Sequence, residues 1–233
     1  MPEVLVVVLS VLAVAGLCAL GPSVVARLPE PELAIDAEEK VPYATLAARP
    51  GLSLKLAVVG GLAGLVTGWA LAGDAILFAW VFLAAVGVVL GYVDAQTRLL
   101  PTRIIAPSYA VLVVLILLAA AIDGDTDGLV HAGLGWLVFG GFYFVMWYVY
   151  PKGLGYGDVR LSGLLGLALG YLGWGPVLVG LYAGFLLGGI GGGLLSLLRI
   201  VDRKRYPFGP FMLAGSLVGL AWGAAVGNWY TGF

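Results

Sequence analysis

AILFAWVFLAAVGVVLGYVDAQTRLLP, Ala75 to Pro101, is the stretch on which the fold turns. Its first part, Ala75–Val93, is apolar throughout and lacks the alternation of a half-buried strand. It is long enough to cross the hydrocarbon core of a bilayer as a helix, which takes about 20 residues. In that layer backbone polar groups must be satisfied within the segment, and a helix achieves this. The run then ends on Asp94, a carboxylate placed where the chain leaves the apolar layer. The rest of the chain repeats the pattern. Of its 233 residues, 61% are hydrophobic and 11% charged, whereas a water-soluble domain carries about 25% charge. The fold class is therefore all-α: a polytopic membrane helix bundle.

Outward from that stretch, about eight apolar segments are marked. They run approximately Val4–Val25, Leu54–Leu71, Ala75–Val93, Ile104–Ile122, Leu129–Tyr150, Val159–Leu172, Pro176–Leu198 and Phe208–Trp229. The sixth is short for a span, so it must tilt little, begin in a loop or sit where the bilayer is thinned. The opening run, MPEVLVVVLSVLAVAGLCALG, has no basic stretch before it, and its first positive charge is Arg27. It reads as a retained first helix with the N-terminus outside, not as a secretion signal. The inner connections are then Ala26–Ser53, Asp94–Arg103, Pro151–Asp158 and Arg199–Pro207. All 12 Lys and Arg residues fall in or beside these four connections, as the positive-inside rule demands. The outer connections hold only Gly73–Asp74, the acidic turn Asp123–Gly128 and Gly173–Gly175.

Membrane lipid is thus the surrounding partner, and the dispersed basic residues offer no face for nucleic acid. Cys18 is the single cysteine, which excludes a disulfide framework or a Cys-based zinc site within the chain; a small buried thiol is expected. Gly180, Gly184, Gly188 and Gly192 recur every four residues, as do Gly215, Gly219, Gly223 and Gly227. Such stripes let helix backbones approach closely. His131, the only histidine, falls at the outer face, and Ser10, Ser162 and Ser196 lack a histidine or lysine arranged for a serine protease.

The chemistry-bearing residues are two aspartates expected on the inner side. Asp94 closes the third segment. Asp158 lies in GYGDVRL, Gly155–Leu161, directly before the sixth. A solvated loop aspartate is the plain reading of either alone, but charges at the rim of a membrane bundle are functional suspects because desolvating them is costly. Gly155 and Gly157 give the backbone freedom to turn and to approach a substrate strand. Asp158 opens a helix, whose positive end favours an anion, and Asp94 closes one, whose negative end opposes it. On that asymmetry Asp94 is expected to hold a shared proton more often.

Three ordered motifs carry a resemblance: Asp94-Ala-Gln-Thr97-Arg-Leu-Leu-Pro101, then Gly155-Tyr-Gly157-Asp158-Val-Arg160-Leu, then Pro207-Phe208-Gly209-Pro210-Phe211. The chain resembles the type IV prepilin peptidases, of the GxGD group of membrane aspartyl proteases. Leu100 is an extra residue before Pro101 relative to that group's pattern. The resemblance implies a single transmembrane peptidase domain over residues 1–233, with Asp94 and Asp158 catalytic and no cofactor or metal. It also implies prepilin or pseudopilin precursors as substrates, cut between a basic leader and an apolar helix at the cytoplasmic face of a bacterial inner membrane. Gly155, Gly157, Pro207, Phe208, Gly209 and Pro210 are the expected substrate-binding residues, although Pro207–Phe211 reads equally as a helix-start turn. The last helices, from Val159 onward, are expected to wall the substrate's apolar helix. Fuller members carry a cysteine-containing cytoplasmic insertion after the first helix, associated with N-methylation. Here residues 26–53 form a short loop without cysteine in its place, acidic around Glu30–Glu39, so a peptidase without that domain is expected, with methyl transfer left open. Two other readings stand beside this one: a small cation-coupled transporter or channel using rim carboxylates, and a non-catalytic assembly protein. Coupling sites in transporters lie at mid-membrane, where the sequence puts no aspartate.

Overall fold

The computed structural model of the chain describes residues 2–30, 40–151, 153–197 and 207–231. Most of the acidic segment Glu30–Glu39 and the cations Lys152, Arg199, Arg203, Lys204 and Arg205 lie outside the described residues. Among those described, every regular element is helical: α1 (Glu3–Ala19), α2 (Gly21–Val25), α3 (Tyr43–Ala47), α4 (Leu52–Ala70), α5 (Leu77–Thr97), α6 (Thr102–Asp123), α7 (Thr126–Gly135), a π-helical turn (Trp136–Gly140), α8 (Gly141–Val149), α9 (Tyr156–Tyr171), α10 (Trp174–Leu197) and α11 (Gly209–Thr231). Seven helical spans are long and apolar enough to cross a membrane, with α1 and α2 acting as one and Thr126–Val149 as another. The chain is a multi-pass membrane protein.

The expected short sixth segment is α9, with 16 residues. It is packed against α6, α7, the π turn, α8, α10 and α11, and nearly all of it from Leu161 to Tyr171 is buried. Enclosure explains its length and its glycines: a helix surrounded by protein need not match the bilayer in thickness or in apolar surface. By contrast α1, α6 and α8 leave many large apolar side chains exposed, among them Leu12, Leu118 and Val149, as lipid-facing helices do.

Glycine sets the helix spacing. A Cβ on Gly219 would come within 2.6 Å of the Pro176 carbonyl oxygen and 2.8 Å of Gly180 Cα. Gly215 and Gly223 press on α10 backbone in the same way, so the stripes of α10 and α11 face one another. A third stripe, Gly60, Gly64 and Gly68 on α4, receives α1: a Cβ on Gly64 would lie 2.6 Å from Ser10 O, and one on Gly60 would lie 2.5 Å from Cys18 Sγ. Cys18 is indeed a buried thiol. Close backbone approach adds dispersion contacts where lipid removes the hydrophobic drive between helices.

The loop expected over residues 26–53 contains a helix that the sequence reading did not anticipate. Glu30 accepts the free N–H groups of Tyr43 (3.1 Å) and Ala44 (3.4 Å) at the start of α3. Tyr43 and Leu46 then bury against Val25, Val89 and Val93. This seats the loop under the end of α5 that carries Asp94.

Candidate active site

The site is built where α5, α9 and α11 meet at one end of the bundle. Helix α5 stops because Arg98 takes the left-handed conformation, φ 56°, and its N–H donates to the Asp94 carbonyl at 2.7 Å. Thr97 supports the stop. Its hydroxyl donates to Val93 O (2.8 Å) and accepts the Leu99 N–H (3.2 Å), and its carbonyl accepts from Lys40 Nζ at 2.5 Å. Pro101 then precedes the first turn of α6. Asp94 therefore occupies the last turn of α5, with its side chain only 4% exposed.

The late Pro207-Phe208-Gly209-Pro210 run meets this carboxylate. Gly209 N–H donates to Asp94 Oδ2 at 3.0 Å across 115 positions of sequence. A Cβ on Gly209 would sit 2.8 Å from that oxygen, so only glycine fits without displacement. Helix α11 is held over α5 by Leu213, whose methyls occupy a notch formed by Gly87 and Gly91. Phe208 turns the other way. It is buried against Tyr143 (ring centroids 5.9 Å) and Phe185 (5.5 Å), and Gly188 leaves room for its ring. Pro207 and Pro210 are half-buried, Pro210 lying in the first turn of α11.

Asp158 sits at the third position of α9 and is 7% exposed. Its Oδ2 accepts the Gly155 N–H at 2.9 Å, closing the first turn upon itself in the manner of a capping box. Neither Gly155 nor Gly157 has a positive φ. Their role is proximity: a Cβ on Gly155 would lie 3.2 Å from Asp158 Oδ2, and one on Gly157 would lie 2.8 Å from Leu100 Cβ. The extra Leu100 is thus the residue that packs on Gly157. Arg160 fixes α9 to the start of α6: its guanidinium donates to Thr102 Oγ1 and lies 4.8 Å from the centre of the Tyr156 ring. Tyr109 reinforces the joint, donating to Arg160 O at 2.7 Å.

Asp94 and Asp158 come within electrostatic reach of each other, with Lys40 near Asp94. Two carboxylates brought together in a buried site resist double ionisation and so favour sharing a proton. The dipole asymmetry expected from sequence is offset in part, because Asp94 closes α5 yet also accepts an N–H from the opening of α11, while Asp158 accepts one at the opening of α9. Each carboxylate faces the positive end of a helix. No group of three or more His, Cys, Asp or Glu residues arranged for a metal occurs among the described residues. His131 lies elsewhere, edge-on to Trp174 at 6.3 Å.

Beside Asp94 an apolar cavity of about 490 Å³ runs between α4, α5 and α11. Gly91, Tyr92 and Pro210 line it next to the carboxylate, and Leu62, Val66 and Trp80 line it farther along. Leu165 of α9 and Pro210, Leu213, Ala214 and Leu217 of α11 line it together with α4 and α5, so two of the late helices expected to wall a substrate share this cavity.

The sequence that carries these motifs matches known proteins. Residues 80–193 match the type IV leader peptidase family. The matched region holds both aspartates and the glycines of the α9 turn. The chain is also 31% identical over 158 residues to a prepilin leader peptidase/N-methyltransferase of Aeromonas salmonicida, covering 67% of this chain and 51% of the relative. It is 30% identical over 170 residues to the protein of that name from Pseudomonas aeruginosa, covering 70% and 53%. The chain spans about half the length of the curated relatives it matches. No solved structure matches it. These matches agree with the resemblance read from the motifs.

Proposed function

We propose that this protein is a membrane aspartyl endopeptidase that removes the basic leader from prepilin-like precursors, with Asp94 and Asp158 as its catalytic pair. The observation that carries the reading is the convergence of two buried carboxylates from separate helices, each anchored by a backbone N–H. One carboxylate, ionised, polarises a water that attacks the scissile carbonyl. The other, protonated, donates to the developing oxyanion. The first carboxylate takes up the water's proton and passes it to the leaving amine as the C–N bond breaks, and the new hydroxyl returns its proton to the second carboxylate. Because the proton belongs to the pair, its titration is macroscopic, and the two residues exchange roles as the reaction proceeds.

The site lies at the end of the bundle where α5 finishes and α9 and α11 begin, which the distribution of Lys and Arg assigns to the cytoplasmic face of the inner membrane. A bond just outside the bilayer is within its reach. Gly155, Gly157 and the Pro207–Pro210 run border the pair and shape the approach of the chain being cut. The cavity between α4, α5 and α11 opens at the Asp94 turn and offers apolar lining to the helix that follows the cut. The proposal covers peptide hydrolysis and not methyl transfer.

Co-expression with a prepilin provides the test. Asp94→Asn and Asp158→Asn are each expected to abolish leader removal while the protein still accumulates folded in the membrane. Substantial cleavage by either variant would refute the pair. Loss of cation uptake or conductance in the same variants, with cleavage intact, would favour a transport protein instead.

A further inference from the structure

The loop between the first two spans grips the last two turns of α5 at three residues. Arg49, just after α3, donates to Gln96 Oε1 at 2.5 Å on the exposed side of α5. Tyr92 donates its hydroxyl to Leu46 O at 3.1 Å, beside the buried contact of Tyr43 and Leu46 with Val89 and Val93. Lys40 takes the helix end itself: its ammonium donates at 2.5 Å to the carbonyl of Thr97, the last residue of α5.

These three bonds are not equivalent. A lysine on the closing carbonyls of a helix complements the negative end of its dipole, and that role alone needs no catalytic neighbour. Thr97, however, stands three residues after Asp94, on the same face of α5, and both are buried, 3% and 4% exposed. The ammonium is thus bonded one turn beyond Asp94, about 5 Å along the axis of α5. Its charge reaches that carboxylate. Arg49, bonded to the exposed Gln96, lies on the face that looks away.

We propose that Lys40 is a positioning residue of the acid pair: it fixes the turn that carries Asp94 and supplies a positive charge that favours one ionised carboxylate in the enclosed site. This rests on the acid-pair reading above. An anion taken out of water is costly unless an opposite charge stands near, and a second carboxylate beside it raises that cost. The other charged or titratable groups that neighbouring elements bring to this end of the bundle are Asp158 and Arg160 from α9, Arg98 from the end of α5, Arg103 from α6, Lys55 from α4 and Tyr143 from α8. Arg160 is engaged by Thr102 and Tyr156, and α11 brings the Gly209 N–H.

The experiment is a pH series of kcat for the whole chain in membranes, with a prepilin as substrate. Lys40→Gln keeps a donor for the Thr97 carbonyl and removes the charge, whereas Lys40→Arg keeps both. In Lys40→Gln the pair gives up its first proton less readily, so the acid limb of the profile should rise by about half a pH unit or more. Rates below the limb then fall about threefold or more, and the plateau stays within about twofold. Lys40→Arg should leave the limb in place. So should Arg49→Gln, which removes a cation from the same loop on the side facing away. An unmoved limb in Lys40→Gln would overturn the assignment even in a slower enzyme, because a purely structural cap gives that result. Equal shifts in Lys40→Gln and Arg49→Gln would overturn it too, by tracing the effect to general surface charge. Should Lys40→Gln fail to accumulate, Nε-acetyllysine at position 40 keeps the stem and the N–H donor without the charge. Its limb should rise by the same amount, and an unmoved limb would again count against the proposal. Asp94→Asn and Asp158→Asn run alongside: if they still cleave, the acid pair itself fails, whereas dead Asn variants beside an unmoved limb in Lys40→Gln sink only the lysine.

Discussion

Asp94 and Gly209 show how little space the site leaves. The N–H of Gly209 binds the carboxylate and its missing side chain makes the room, so Gly209→Ala removes the second while threatening the first. We expect Gly209→Ala to lower cleavage about tenfold or more, since misplacing a catalytic group by about 1 Å costs up to about 10²-fold. Gly155→Ala should be milder, its Cβ standing 3.2 Å from Asp158 Oδ2 against 2.8 Å at Gly209. Initial rates of leader removal, normalised to membrane protein, check the order; a reversed order would contradict it. The aspartates were legible in the sequence because a carboxylate ending a long apolar run is a local signal. The link from Gly209 to Asp94 was not, because it joins residues 115 positions apart.

At the scale of helices, the packing of α1 on α4 yields a sharp test. A Cβ on Gly60 would lie 2.5 Å from Cys18 Sγ and 2.8 Å from Cys18 Cβ. Gly60→Ala alone should destabilise by about 1–3 kcal/mol, the usual cost of overpacking. Exchanging the small groups, with Gly60→Ala and Cys18→Gly together, should recover part of that loss, although Val14 O at 3.0 Å still resists. Thermal unfolding in detergent of both single variants and the double one measures the coupling; strictly additive losses would show that the two positions do not share that space. The stripes on α10 and α11 could be read from their regular spacing. Their mutual pairing could not, because spacing marks a smooth face without naming its partner. The stripe on α4 went unread among its neighbouring glycines, and α3 was missed because five residues are too few to show a helical period.

For the molecule as a whole, length of apolar segments and placement of cations carried most of the information. Seven spans and one enclosed helix correspond to the eight expected segments. Sidedness follows from that count and can be measured directly. In a Cys18→Ala background, a cysteine at position 126, the first residue of α7, should react with an impermeant maleimide on intact cells. One at position 103, in the first turn of α6, should react only once the inner face is exposed. Labelling in the opposite sense would place the acid pair outside and remove the leader-peptide reading.

Helix α9 has a consequence for biogenesis. It is short, rich in glycine and almost wholly clothed by its neighbours, so it makes a poor membrane segment by itself and depends on helices made before and after it to stay in the lipid. Asp158 rides on that helix, while the clamp on Asp94 comes from α11, which is made after both acids. A nascent chain thus carries both acids before the clamp on Asp94 exists, and under the proposed function leader cleavage waits until α11 has threaded into place.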